Sequence, residues 1–199
     1  MSIANYITIL RLFSIPAIAY YYLVGQFDIA LWLLVFAGFS DLLDGYLARR
    51  LGQRTKLGAI LDPLADKSLM LVCFVTLAYT HQVPYWLVAL VVGRDLYIVT
   101  GVWFLKIFSK KLYIKPTYLS KLTTFFQLGF LFFTFLKLAV ENPSLTYLLP
   151  WKESIFYSQN VMIFLVVLMT FASAIHYTLV AWAIFREALK QRRGLRAQH

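Results

Sequence analysis

The sequence predicts an all-α fold, a polytopic membrane protein with six transmembrane helices. Three observations predict it. Of 199 residues, 61% are hydrophobic and 14% charged, against roughly half and a quarter in a soluble domain; the mean hydropathy is +0.71. The apolar residues run on for about 20 positions at a time, the length of a bilayer-crossing helix, instead of alternating as in a transmembrane barrel. The 19 Lys and Arg, set against 9 Asp and Glu, gather in the breaks between these runs. Soluble and disordered classes are thereby excluded. The length bounds the chain to a single membrane domain over residues 1–199, with residues 186–199 as a basic tail.

The spans follow in order. The first covers residues 6–24 and holds Arg11. It has no basic leader and no small-residue cleavage site after it, so it reads as a retained segment. Gly25 to Asp28 break the chain before span two, residues 29–48. A basic loop with Arg49, Arg50, Arg54 and Lys56 leads into span three, residues 57–79. That span holds Cys73, the single cysteine, which excludes an intrachain disulfide and a cysteine metal cluster. His81 to Pro84 precede span four, residues 85–108, which contains Arg94 and Asp95. Span five covers residues 122–140, with Pro116 expected in its first turn, where a missing N–H costs little. Span six covers residues 158–185. The basic loops after spans two and four and the tail from Arg186 fall on one side of a six-span chain. The positive-inside rule then puts both termini and these loops in the cytoplasm. This topology and anionic lipid headgroups account for the charge better than nucleic acid does.

Four of the six aspartates lie within 26 residues: Asp41, Asp44, Asp62 and Asp66. An ionised carboxylate in hydrocarbon costs roughly 3 kcal/mol or more, so intramembrane acids mark function by default. Asp41 and Asp44 are i, i+3, and Arg49 continues that helical face. Gly58, Asp62 and Asp66 are i, i+4, i+8, again one face. A short loop makes the two helices antiparallel neighbours, so the faces should oppose each other. Asp44 is about 9 Å from Arg50 along a helix axis, which puts the pocket at the cytoplasmic membrane surface. Oxygen donors without His or Cys suit Mg²⁺ or Mn²⁺, and two such ions about 4 Å apart would clamp a phosphoryl group. Gly45, Ala48 and Gly58 permit close approach of a ligand or, equally, close helix packing. Arg49 offers a planar donor fork for phosphate.

Written out, the segment is Asp41-x2-Asp44-Gly45-x2-Ala48-Arg49-x8-Gly58-x3-Asp62-x3-Asp66. It resembles, at every position, the signature of the CDP-alcohol phosphatidyltransferase family. Asn5-x2-Thr8-x2-Arg11-x4-Pro16 resembles the family's N-terminal segment. Arg94-Asp95 and Lys115-Pro116-Thr117-x2-Ser120-Lys121-x2-Thr124-x2-Gln127 are more similar to the eukaryotic-type cardiolipin synthases than to the phosphatidylglycerophosphate synthases. The phospholipase-D type of cardiolipin synthase has no support, because no histidine is followed by x-Lys.

The resemblance implies a metal-dependent transferase of phospholipid biosynthesis. CDP-diacylglycerol donates its phosphatidyl group to an acceptor hydroxyl, and CMP leaves. It implies Asp41, Asp44, Asp62 and Asp66 as ligands of two Mg²⁺ or Mn²⁺ ions, and Asp66 as the catalytic base. It implies a nucleotide site of Asp41, Gly45, Ala48, Arg49, Gly58 and Asp62. The expected acceptor is phosphatidylglycerol, giving cardiolipin, with glycerol 3-phosphate as the alternative. Family members are commonly homodimers, and one is expected here. Cation or proton transport is the rival class for buried acids, although no internal repeat supports it.

The remaining polar residues carry alternatives. Arg94 is either half of a structural ion pair with Asp95 or a grip on an acceptor phosphate. Lys115 and Lys121 are acceptor contacts or ordinary basic flank, and Lys115 can snorkel. Arg11 either snorkels or, with Thr8, contacts phosphate. Lys67 points away from the acids. Trp86, Trp103, Trp151 and Trp182 fit interfacial anchors. The chain carries no organellar targeting extension, so a bacterial inner membrane is the simplest location.

Overall fold

A computed structural model describes residues 3–50, 58–108, 117–141 and 143–196, with side chains for all of these except 3–5, 42, 44–50, 59–60, 102–108, 143–144, 146, 184–185 and 187–196. Six helices account for most of it: α1 (Ile3–Leu23), α2 (Phe27–Arg50), α3 (Gly58–Tyr79), α4 (Tyr85–Phe108), α5 (Tyr118–Val140) and α6 (Lys152–Arg196). A short 3-10 stretch, Pro143–Trp151, broken at Leu145, stands before α6. The described residues contain no strand.

Each expected span coincides with one helix, and the departures are at the ends. The last helix runs on through the basic tail to Arg196, because Glu, Lys, Gln, Arg and Leu are good helix formers whether or not hydrocarbon surrounds them. Span five begins four residues earlier than its apolar run, at Tyr118. Thr117 caps it, its hydroxyl accepting the Ser120 N–H at 3.3 Å, as expected of an N-cap threonine. Pro116 lies outside the described residues.

Among the described residues, three segments are long and apolar enough to cross a membrane by length and composition: Tyr6–Leu23, Tyr118–Val140 and Tyr147–Ala183. The surface shows the same solvent preference. Phe13, Trp32, Phe39, Phe164 and Leu179 are each more than half exposed, while Arg11, Thr123 and Gln127 are fully buried. Apolar residues outside and polar ones inside suit lipid, not water. Trp86, Trp151 and Trp182 are exposed; the side chain of Trp103 is outside the described set.

The described chain forms two compact units, Met1–Pro84 with Gln127–Ile163, and Tyr85–Phe126 with Phe164–His199. In the first, α1 packs against α2 and α3. Thr8, Arg11, Ile15, Ile18 and Tyr22, spaced three and four apart, are its buried face, the stripe an α-helix turns to its neighbours. Register follows from three long-range bonds. Thr8 meets Asp62, Arg11 meets Asp66 and Tyr22 meets Thr80 at 2.8 Å. Both numbers rise together, so α1 and α3 run parallel. Between them α2 returns antiparallel after a turn at Gly25, whose φ of +80° closes α1. The Gln26 N–H reaches the Tyr21 carbonyl and the Gly25 N–H that of Tyr22, a Schellman cap. Phe74 stacks on Phe130 at 5.8 Å and the Tyr22 ring packs tilted against Phe135 at 5.3 Å, completing the core of this unit. In the second unit, α4, α5 and α6 meet around Arg94.

Candidate active site

Asp41 lies in the C-terminal half of α2, and Asp62 and Asp66 in the first turns of α3. Their partner comes from α1. The Arg11 guanidinium is fully buried. Its Nη1 donates to Asp41 Oδ1 at 2.6 Å and to Asp66 Oδ1 at 2.9 Å. One nitrogen thus bridges carboxylates from two different helices. The two carboxylates are themselves half-open, their side chains 42% and 45% exposed. Asp62, one turn before Asp66, accepts the Thr8 hydroxyl at 2.9 Å. Thr8 and Arg11 are i, i+3 on α1, and Asp62 and Asp66 are i, i+4 on α3, so two parallel helices match them pair to pair.

Arg11 and Thr8 are therefore the residues whose position the sequence left open. Arg11 neither reaches for the surface nor stands apart from the acids; it lies beneath them. Thr8 is buried against Asp62. Gly58 is buried at the start of α3, and Lys67 is exposed, as expected of a residue that turns from the acids. Asp44, Gly45, Ala48 and Arg49 lie on the helical backbone of α2, but their side chains are outside the described set. Lys115 and the loop of residues 51–57 are also outside it.

An oxygen-only donor set converging on one positive point fits a hard divalent cation. Asp41 and Asp66 already converge on a single nitrogen. Asp62 stands a turn away. Among the described residues no three His, Cys, Asp or Glu side chains form a closed ligand cage, and Asp44, expected as the fourth ligand, is not among them. Charge points the same way. Among the described residues Arg11 meets two carboxylates and Asp62, bonded to Thr8, adds a third, a set that is negative in sum.

The second unit holds a different arrangement. Arg94 on α4 is buried. Its Nη1 donates to Asp95 Oδ1 at 2.7 Å, and its Nη2 to Ser120 Oγ of α5 at 2.9 Å and to Ser173 Oγ of α6. The Thr117 N–H reaches the Tyr177 hydroxyl at 3.4 Å. Arg94 thus makes the local ion pair that was one of its two expected roles. It also lines an apolar groove of about 410 Å³ together with Ala89, Gly93, Tyr97, Thr170 and Ala174. Lys121 is exposed at the start of α5.

The family model described as CDP-alcohol phosphatidyltransferase matches residues 1–185. The chain belongs to this family. Its enzymes transfer a phosphatidyl group from a CDP-linked lipid to an alcohol, which is the chemistry the resemblance implied. A probable cardiolipin synthase (CMP-forming) of Drosophila melanogaster is 40% identical over 146 residues, 65% of this chain and 45% of that protein. The cardiolipin synthase (CMP-forming) of Homo sapiens is 33% identical over 143 residues, 64% of this chain and 48% of that protein. A CDP-diacylglycerol–glycerol-3-phosphate 3-phosphatidyltransferase of Aquifex aeolicus is 35% identical over 130 residues, 63% of this chain and 71% of that protein. The aligned segments span about half the length of the animal relatives. Relatives from animals and bacteria both match, so the comparison assigns no compartment beyond a membrane.

Proposed function

We propose that this protein is a divalent-cation-dependent membrane transferase that moves a phosphatidyl group from CDP-diacylglycerol to phosphatidylglycerol, yielding cardiolipin and CMP. The observation that carries this reading is the convergence of Asp41 and Asp66 on one cationic point, with Asp62 a turn away, in a chain of this family. Asp41, Asp44, Asp62 and Asp66 would hold the ions, two of Mg²⁺ or Mn²⁺. When bound, such ions neutralise the pyrophosphate of the donor and the charge developing on the leaving CMP.

The chain's own groups do the rest. Asp41, Gly45, Ala48, Arg49, Gly58 and Asp62 would receive the nucleotide, Arg49 as a phosphate fork. Asp66, half-exposed beside Arg11, is placed to take a proton. It accepts the acceptor hydroxyl's proton while that oxygen bonds to the phosphatidyl phosphorus and the bond from phosphorus to the CMP oxygen breaks. Positioning of the hydroxyl in line with that bond supplies much of the acceleration. Lys121, exposed at the head of α5, is the described cation suited to an acceptor phosphate; Arg94 is already engaged with Asp95. The wider reading is a six-span homodimer with its basic loops, both termini and the acids on one aqueous side.

The acceptor assignment rests on the α5 motif, from Lys115 to Gln127, and on relatives named as cardiolipin synthases. The Aquifex relative favours glycerol 3-phosphate as the second reading. The family match leaves cation transport without support. The test is CMP release from CDP-diacylglycerol by purified protein with Mg²⁺ or Mn²⁺. Release with phosphatidylglycerol alone is expected. Release with glycerol 3-phosphate alone would give the second reading, and release with neither would overturn both.

A further inference from the structure

We infer that Arg11 is a positioning residue of the acidic centre: a buried brace that holds Asp41 and Asp66 together from beneath and so raises the centre's affinity for a divalent cation. The inference rests on the cation-binding reading above and deepens it by giving a role to a side chain outside the expected ligand set.

The burial pattern gives the direction of approach. Arg11 is 0% exposed, while the carboxylates it bridges are 42% and 45% exposed. The guanidinium is packed inside the unit, while the carboxylates it bridges keep part of their surface open. Each carboxylate has two oxygens and about four acceptor positions, and Nη1 meets the Oδ1 atom of each. A cation can take the remaining positions without displacing the arginine. Withdrawal of Arg11 is blocked, because α1 is fixed on both sides of it. Thr8 is bonded to Asp62, and Tyr22 to Thr80 and packed on Phe135.

The energetics explain why such a brace helps. Two carboxylates from separate helices, brought within reach of one nitrogen, repel each other strongly wherever water is scarce. Without a cation between them they would splay apart, and a metal ion would have to reverse that before binding. Arg11 is permanently charged, so it offsets the repulsion and keeps the pair spaced. It does not cancel the centre: Asp62 adds a third described carboxylate. Groups that orient metal ligands from outside the coordination sphere commonly contribute about 10- to 100-fold to metal affinity.

The opposite role is also definite. If Arg11 merely occupied the cation's place, its removal would tighten metal binding. The test is Mn²⁺ titration of full-length, metal-stripped protein in detergent, reading free Mn²⁺ by electron paramagnetic resonance, with helicity followed by circular dichroism. Arg11→Gln is expected to weaken Mn²⁺ binding by about 10- to 100-fold, and Arg11→Lys, which keeps the charge and secures folding, to weaken it less. Arg94→Gln removes an equally buried arginine from the other unit, and its Mn²⁺ affinity is expected to match the parent protein. Unchanged or tighter binding in both Arg11 variants would overturn the brace while leaving the cation site intact. No Mn²⁺ binding by the parent protein would overturn the site and the brace together.

Discussion

Arg11 and Arg94 are both buried in apolar helices, yet they keep different company. Arg94 pairs with Asp95, its neighbour in sequence, and spends its other amino group on Ser120 and Ser173. That cluster is charge-balanced among the described residues. Arg11 pairs with Asp41 and Asp66 from two other helices, and Asp62 adds a third carboxylate. Among the described residues that cluster is left negative, and Asp41 and Asp66 are half-open. Burying a balanced pair is a structural act, which apolar residues of similar volume could replace. Burying one cation under three acids is wasteful unless another cation completes the set. The comparison teaches that a buried arginine is read by the charge left over around it, not by its burial.

The largest expected break is at the acids. Asp66→Asn removes the base and a ligand oxygen and should lower CMP release by about 10²- to 10⁴-fold. Chelation of divalent ions from the parent protein should abolish release, and added Mg²⁺ or Mn²⁺ should restore it. Next comes the contrast between the clusters, measured by denaturation in detergent. Arg94→Met should cost about 3 kcal/mol, because it strands a carboxylate that is nearly buried, its side chain 14% exposed. Arg94→Met with Asp95→Asn should recover most of that loss. Arg11→Met with Asp41→Asn should leave CMP release abolished whatever stability it regains.

Smaller effects sharpen the geometry. Thr8→Val deletes one hydrogen bond to Asp62, worth about 1 kcal/mol, and should lower CMP release about fivefold with little change in the melting point. Tyr22→Phe deletes the bond to Thr80, far from the acids. It should lower stability by about 1 kcal/mol and leave turnover unchanged. A fall in turnover there would mean that the α1 register controls the site more tightly than the local bonds imply.

Much of this was legible in the sequence. Continuous apolar runs give helices whatever their surroundings, so all six elements and most boundaries could be read. The aspartate spacing grouped Asp41 with Asp66, and both meet Arg11 of α1. The Arg94–Asp95 pair was readable because its members are adjacent. Arg11 was not readable in this way: its partners are 30 and 55 residues distant, and a lone arginine in an apolar run looks the same whether it snorkels, grips phosphate or braces acids. Thr8 was obscure for the same reason. The N-cap at Thr117 carried a local signal, a threonine three residues before Ser120, that the position of the apolar run hid. Gly45, Ala48 and Arg49 remain expectations of the motif, since their side chains lie outside the described residues.

The central claim is that the α1–α3 cluster holds negative charge for a divalent cation and the Arg94 cluster does not. Mn²⁺ binding by two purified double variants tests it most directly. Asp41→Asn/Asp62→Asn should lose tight Mn²⁺ binding, while Arg94→Met/Asp95→Asn should keep the parent affinity. Tight binding that survives the first pair of changes and disappears with the second would contradict the account.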